Sequence, residues 1–203
     1  MKKLNLVCFI LSLALFSHAQ NNKTGIKFGA RAGVNFSNMP AKSPGISVSS
    51  SSLTGFNAGG FVEIPAGDKF AIQPELAFSQ MGAKFKVGDG EGGTVSVTSK
   101  LNYLTLPALV KFKVPNTGIG IYAGPQVGLL LSAKAEGYGE STDAKDNYKS
   151  SDFAGVFGGE YFFDAGIGIS ARYQLGLSNI AKDAGDNTNV KNTAFTITVG
   201  YRF

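Results

Sequence analysis

Six charged residues carry most of the chemical potential of this 203-residue sequence: Arg31, Glu63, Glu75, Lys111, Arg172 and Arg202. Each interrupts an otherwise apolar or small-residue stretch, where a charge is costly unless it is paired. Two acids on neighbouring segments are the raw material of general acid–base work. Glu63 and Glu75 fit that description, but no aligned substrate groups flank them. Because acids and bases are mixed, the residues read best as charge-paired polar filling. A path for protons or ions is the rival reading.

The groups most often used for catalysis sit at the wrong end of the chain. The single cysteine (Cys8) and single histidine (His18) both fall within residues 1–19. That segment has a basic start (Met1-Lys2-Lys3), an apolar run from Leu4 to Phe16, and Ser17-His18-Ala19 with small residues at the cleavage-determining positions. It reads as a signal peptide cleaved after Ala19, with a mature start at Gln20. The apolar run is short of the roughly 20 residues needed for a spanning helix. Cys8 lies inside that run, not at its end, so it does not read as a lipid-attachment site. Residues 20–203 then hold no imidazole and no thiol, which removes Ser–His and Cys–His nucleophile systems and ordinary zinc sites. The mature chain is expected to be non-enzymatic and without a cofactor.

Two acidic clusters could attract calcium: Asp183, Asp186, Asn187 and Asn189, and Asp143, Asp146 and Asn147. Neither has a full calcium-loop pattern, so both read as solvated loops. Loss of Lys2 and Lys3 lowers the formal charge from +5 to +3. Without a clustered basic stripe, this argues against nucleic-acid binding.

The elements that position these residues follow from an alternation of period two, the signature of half-buried strands. In Ile26 to Phe36 the even positions are all apolar, and the odd ones are Lys27, Gly29, Arg31, Gly33 and Asn35. The pattern returns in Phe56 to Ile64, Phe70 to Gln80, Leu101 to Phe112, Ile119 to Ala133, Asp152 to Phe163 (whose facing stays ambiguous), Ile167 to Leu177 and Thr193 to Phe203. Eight such segments, each at least about 9–11 residues long, are expected to form one eight-stranded antiparallel transmembrane β-barrel of outer-membrane type across residues 20–203. The connections 65–69, 113–118 and 164–166 are short; 37–52, 84–99, 135–150 and 179–191 are long and polar, with Ser49 to Ser52 read as a flexible tip. Short turns on one side and long loops on the other match an outer-membrane barrel with its long loops outside.

Aromatic placement argues that the apolar face meets lipid and not a ligand cavity. Phe28, Phe70, Phe112, Tyr201 and Phe203 fall at the periplasmic strand ends; Phe36, Phe56, Phe78 and Tyr103 are expected at the outer ends. Two aromatic girdles with aliphatic residues between them suit a bilayer, and a soluble carrier has no need of them. Pro74, Pro107 and Pro125 lie within expected strands, so bulges are expected there.

Several segments resemble the PorT-like porin family of small Gram-negative outer-membrane barrels. They are Tyr103-Leu104-Thr105-Leu106-Pro107-Ala108-Leu109-Val110-Lys111-Phe112, Tyr122-Ala123-Gly124-Pro125-Gln126-Val127-Gly128, Asp152-Phe153-Ala154-Gly155-Val156-Phe157-Gly158, and Arg172-Tyr173-Gln174-Leu175-Gly176-Leu177-Ser178-Asn179-Ile180. Thr105 departs from the family pattern, which often has an acid there. The resemblance implies fold and envelope location and accounts for the strand prolines. The final strand, ending Tyr201-Arg202-Phe203, resembles the signal read by the barrel-assembly machinery. The partners expected are therefore outer-membrane lipid, that machinery during biogenesis, and an unidentified extracellular or periplasmic protein partner, with the barrel a monomer. The lead function is a structural or interaction role through long extracellular loops. The alternatives are a narrow pore for ions or small solutes, a component of a secretion or gliding apparatus, a membrane-embedded hydrolase and a soluble carrier.

Overall fold

The computed structural model describes residues 25–43, 46–48, 50–88, 94–137, 139–182 and 189–203. The signal segment, with Cys8 and His18, lies outside these, as do Ser49, Asp183, Asp186 and Asn187.

Eight antiparallel strands form the wall: β1 (Lys27–Asn38), β2 (Ser50–Pro65), β3 (Phe70–Gly88), β4 (Thr94–Lys113), β5 (Ile119–Gly137), β6 (Ser151–Phe162), β7 (Ile167–Gly176) and β8 (Thr193–Arg202). Each pairs with its neighbours in sequence, and β8 pairs back onto β1 from Gly29↔Arg202 to Asn38↔Thr193. The ring is closed, so no barrel strand is left with an unpaired edge, the condition for a sheet to stand in lipid.

The alternation of sequence becomes an alternation of burial. Along β7 every second side chain is exposed and every other one buried. The outward residues are large and apolar: Ile72, Leu76, Val110, Ile121, Phe157, Ile169 and Val199 are all at least half exposed to the surroundings. A soluble protein rarely presents so continuous an apolar surface. The band ends abruptly above Phe78 and Leu104, where outward Gln80, Asn102 and Ser132 hydrogen-bond in series at 3.2 and 2.9 Å.

The wall has two heights. Strands β6, β7, β8 and β1 have 10 to 12 residues, about what is needed to cross. Strands β2 to β5 have 16 to 20 and rise well beyond the apolar band. Much of the expected loop 84–99 is therefore hairpin, paired as far as Gly88↔Thr94. Ser50 to Ser52, expected at a loop tip, pair with Phe85, Lys84 and Ala83 instead. Alternation in these polar segments is weak, so the pattern did not reveal their strands.

The prolines do not cause bulges. Pro74 faces Ala108, Pro107 faces Gln126 and Pro125 faces Gly155, and the register is unchanged on both sides of each. Each proline removes one N–H, and the long flanking ladders hold the strands in step. The register shifts lie nearer the long-loop end, between Ser52 and Asn57 and at Asn102/Tyr103. At the second, Asn102 faces Ser132 while Tyr103 faces Leu130, making Leu131 the extra residue. Facing reverses above it, so Ala133 is buried where the sequence pattern expected Ser132 to point inward.

Candidate functional site: a filled lumen beneath a folded loop cap

All six charged residues singled out by sequence lie on the lumen side, and a seventh joins them. Glu160 on β6 is buried and points inward, with Asp152 and Phe162 on the same face and Phe153, Phe157 and Tyr161 outward. This settles the facing that sequence left open. The signal was there: the odd positions from Phe153 to Tyr161 are all aromatic or glycine, and both acids are at even positions.

The seven charges form one alternating chain. Arg202 donates to Glu63 at 3.3 Å, and Lys111 Nζ donates to Glu63 at 2.8 Å and also to Glu160. Arg31 reaches Glu160 at 3.3 Å and Glu75 at 3.6 Å. Arg172 grips Glu75 with two nitrogens at 2.7 and 3.3 Å, and Gln73 Nε2 adds a third donor at 2.7 Å. Every acid thus has two cations, as buried charges require if they are to stay ionised. Seven of the eight strands supply one member each. The remaining strand, β5, supplies Tyr122, whose ring lies 5.4 Å from the Arg172 guanidinium and whose hydroxyl lies 2.6 Å from Ser170 Oγ.

Two inward aromatics missed at the sequence level complete this layer. Arg31 stacks over Phe61 at 4.3 Å and Arg202 over Phe162 at 4.4 Å, contacts that favour a weakly hydrated guanidinium. Glycines make the room. A Cβ on Gly29 would stand 2.2 Å from the Phe61 ring, and one on Gly168 would stand 2.5 Å from the Phe162 ring. Glu63 and Glu75 are not a free carboxylate pair: each is spent on its own two cations.

Above the charges the filling changes. Asn35 donates to Ser79 at 2.8 Å and accepts from Thr196 at 2.7 Å, and Gln126 donates to Gln174 at 2.9 Å. Thr105 hydrogen-bonds the Ala77 carbonyl at 3.1 Å. Tyr103, expected on the outer girdle, is buried in the lumen at 1% exposure. Its odd position already placed it with Thr105 and Lys111, and the aromatic-girdle argument overrode that parity wrongly. It packs with Met39, Met81, Ala83, Leu101, Leu130, Ala133 and Ile180 in an apolar plug. Met39 and Ile180 come from the loops, so the cap itself closes the lumen.

The loops are tied to one another. Ala41–Ser43 pairs with Ile46–Val48 and with Asn189–Val190. Tyr148 bridges to Ala181, flanked by Lys149 N to Ile180 O at 2.8 Å and Lys182 N to Asn147 O at 2.9 Å. Asp152 pins both feet of the last loop, accepting from Ser178 Oγ and Asn192 Nδ2 at 2.9 Å each. Of the calcium candidates, Asp143 accepts from the Lys145 N–H at 2.8 Å.

A closed ring, an apolar belt, short turns at one end and a loop cap at the other define a small outer-membrane barrel. The chain belongs to the outer membrane protein beta-barrel domain family, whose sequence profile matches residues 18–182. Solved structures agree on the fold. The attachment invasion locus protein Ail of Yersinia pestis is 18% identical, with a TM-score of 0.51 over 87% of this chain and 98% of that one. Neisserial surface protein A is 16% identical, with a TM-score of 0.58 over 88% and 99%. No curated protein matches significantly. Family and fold place the protein in the outer membrane.

Proposed function

We propose that this protein is a closed, non-enzymatic, monomeric barrel whose folded outer loops act as an interaction surface. The observation that carries the reading is the filled lumen: a chain of paired charges in the periplasmic half and an apolar plug, partly made of loop residues, in the outer half. A cavity of about 160 Å³ at the periplasmic mouth, lined by Lys27, Lys113 and Arg202 among others, ends on Lys111 and Glu160. An eight-stranded lumen is about filled by its own side chains. The test is conductance in planar bilayers. Silence at 1 M salt is the expected outcome, and reproducible unitary steps would replace this reading with the narrow pore.

The finer identity rests on sequence. The Tyr103–Phe112, Tyr122–Gly128, Asp152–Gly158 and Arg172–Ile180 motifs support kinship with the PorT-like porins, without carrying over a secretion or gliding role. Cleavage after Ala19 predicts a mature N-terminus at Gln20, to be read by mass spectrometry of the outer-membrane protein. Tyr201 and Phe203 face outward with rings 5.1 Å apart. This suits recognition by the assembly machinery, and Phe203→Ala should raise the unassembled fraction, seen as loss of the heat-dependent gel shift.

A further inference from the structure

The outer rim carries a cleft of about 450 Å³ between the loop after β5 and the loop after β7, lined by Lys145, Lys149, Lys182, Asp146, Tyr148 and Leu130. Three lysines and one aspartate line it, and no acid among the described residues is ion-paired with any of the three lysines. The walls are fixed by backbone pairing: Tyr148 with Ala181, Lys149 with Ile180, Lys182 with Asn147, and Leu130 N to Ser150 O at 2.8 Å. The Tyr148 hydroxyl is held 2.8 Å from Ser99 Oγ. Such a preformed cluster of like charge favours an incoming anion, and lysine ammoniums bind phosphate as point charges. The volume falls within the range of about 300–1,000 Å³ typical of pockets for whole small molecules, so it exceeds the need of a bare phosphate.

Height selects the source. Ser151 at the cleft pairs with Leu129, a lipid-facing residue, and Phe153 just below it is outward and half exposed. The cleft therefore opens just above the apolar band, at the level of headgroups. We propose that it binds the phosphorylated saccharide headgroup of an outer-leaflet glycolipid. This rests on the reading above that the loop side faces outward.

The test uses the folded full-length barrel in phosphatidylcholine nanodiscs. Three probes are titrated by calorimetry: phosphorylated lipopolysaccharide, the same glycolipid stripped of its phosphates, and inorganic phosphate. The variants are Lys145→Gln/Lys149→Gln/Lys182→Gln and, as a control at the same end of the barrel, Lys84→Gln/Lys86→Gln. The expected result is binding of the phosphorylated glycolipid alone, weakened by about a hundredfold in the triple variant and unchanged in the control. Equal binding of the stripped glycolipid, equal affinity for inorganic phosphate, or equal loss in the control would each overturn the proposal. If the triple variant loses its heat-dependent gel shift, Lys182→Gln alone is used, with about a fivefold loss expected; no loss would overturn it. Orientation is read separately, by surface labelling of a Lys84→Cys variant in whole cells. A label that never reaches it sinks the outward reading and not the chemistry of the cleft.

Discussion

The lumen is filled in two ways, and the contrast separates what each half does. The short-turn half is a chain of seven charges in which every acid is shared between cations from other strands. The loop half is a plug of aliphatic, methionine and tyrosine side chains, two of them supplied by loops. The charged half ties strand to strand across the ring. The apolar half ties the loops to the barrel. One half fixes the cylinder and the other fixes the surface the cylinder presents.

The most severe way to break this comparison is to orphan the charges. Glu75→Ala leaves Arg172 and Arg31 short of an acid inside the barrel and should cost about 3–5 kcal/mol, measured by urea unfolding followed through heat-dependent gel mobility. The joint change Glu75→Leu/Arg172→Met should recover much of that loss, because an apolar pair of similar volume removes the orphan. A loss below about 1 kcal/mol for the single variant would mean that water reaches this layer.

Leu101→Ala in the apolar half should cost about 2–5 kcal/mol through the cavity it leaves. Ile180→Ala removes similar volume from a loop residue and should be read differently. It should speed proteolytic nicking of the cap while leaving the unfolding free energy of the barrel, from the urea midpoint, within about 0.5 kcal/mol. Equal midpoint shifts for the two variants would show that cap and wall unfold together.

Asp152 sits between the halves and holds both ends of the last loop. Asp152→Ala should cost about 1–3 kcal/mol, the penalty of unsatisfied buried partners, with faster amide exchange at Ser178 and Asn192. Asp152→Asn should cost less, since it keeps an acceptor. The smallest effect should come from the rim. Lys100 and Glu136 pair at 2.6 Å but are each about a third exposed, so Lys100→Ala should cost about 0.2–1 kcal/mol and less in high salt. A larger loss there would mean that the tall side of the wall carries more of the stability than its exposure indicates.

Period-two alternation determined the fold, because a strand with one apolar face states its own facing locally. Ile26 to Phe36 and Ile167 to Leu177 needed no other information. The same parity assigned Arg31, Glu63, Glu75, Lys111, Arg172 and Arg202 to the inner face. It would have assigned Glu160 and Tyr103 as well, had it been followed through the glycines of β6 and against the pull of an aromatic at a strand end. What parity cannot give is the partner. Arg202 and Glu63 are 139 residues apart and Arg172 and Glu75 are 97 apart, and only closure of the ring and the stagger of its strands bring them together. The bulge at Leu131, the rise of β2 to β5 beyond the apolar band and the loop residues that seal the lumen were likewise decided by the tertiary structure. In those polar, irregular stretches the chain has no apolar face to declare, so its conformation is set by the neighbours it meets.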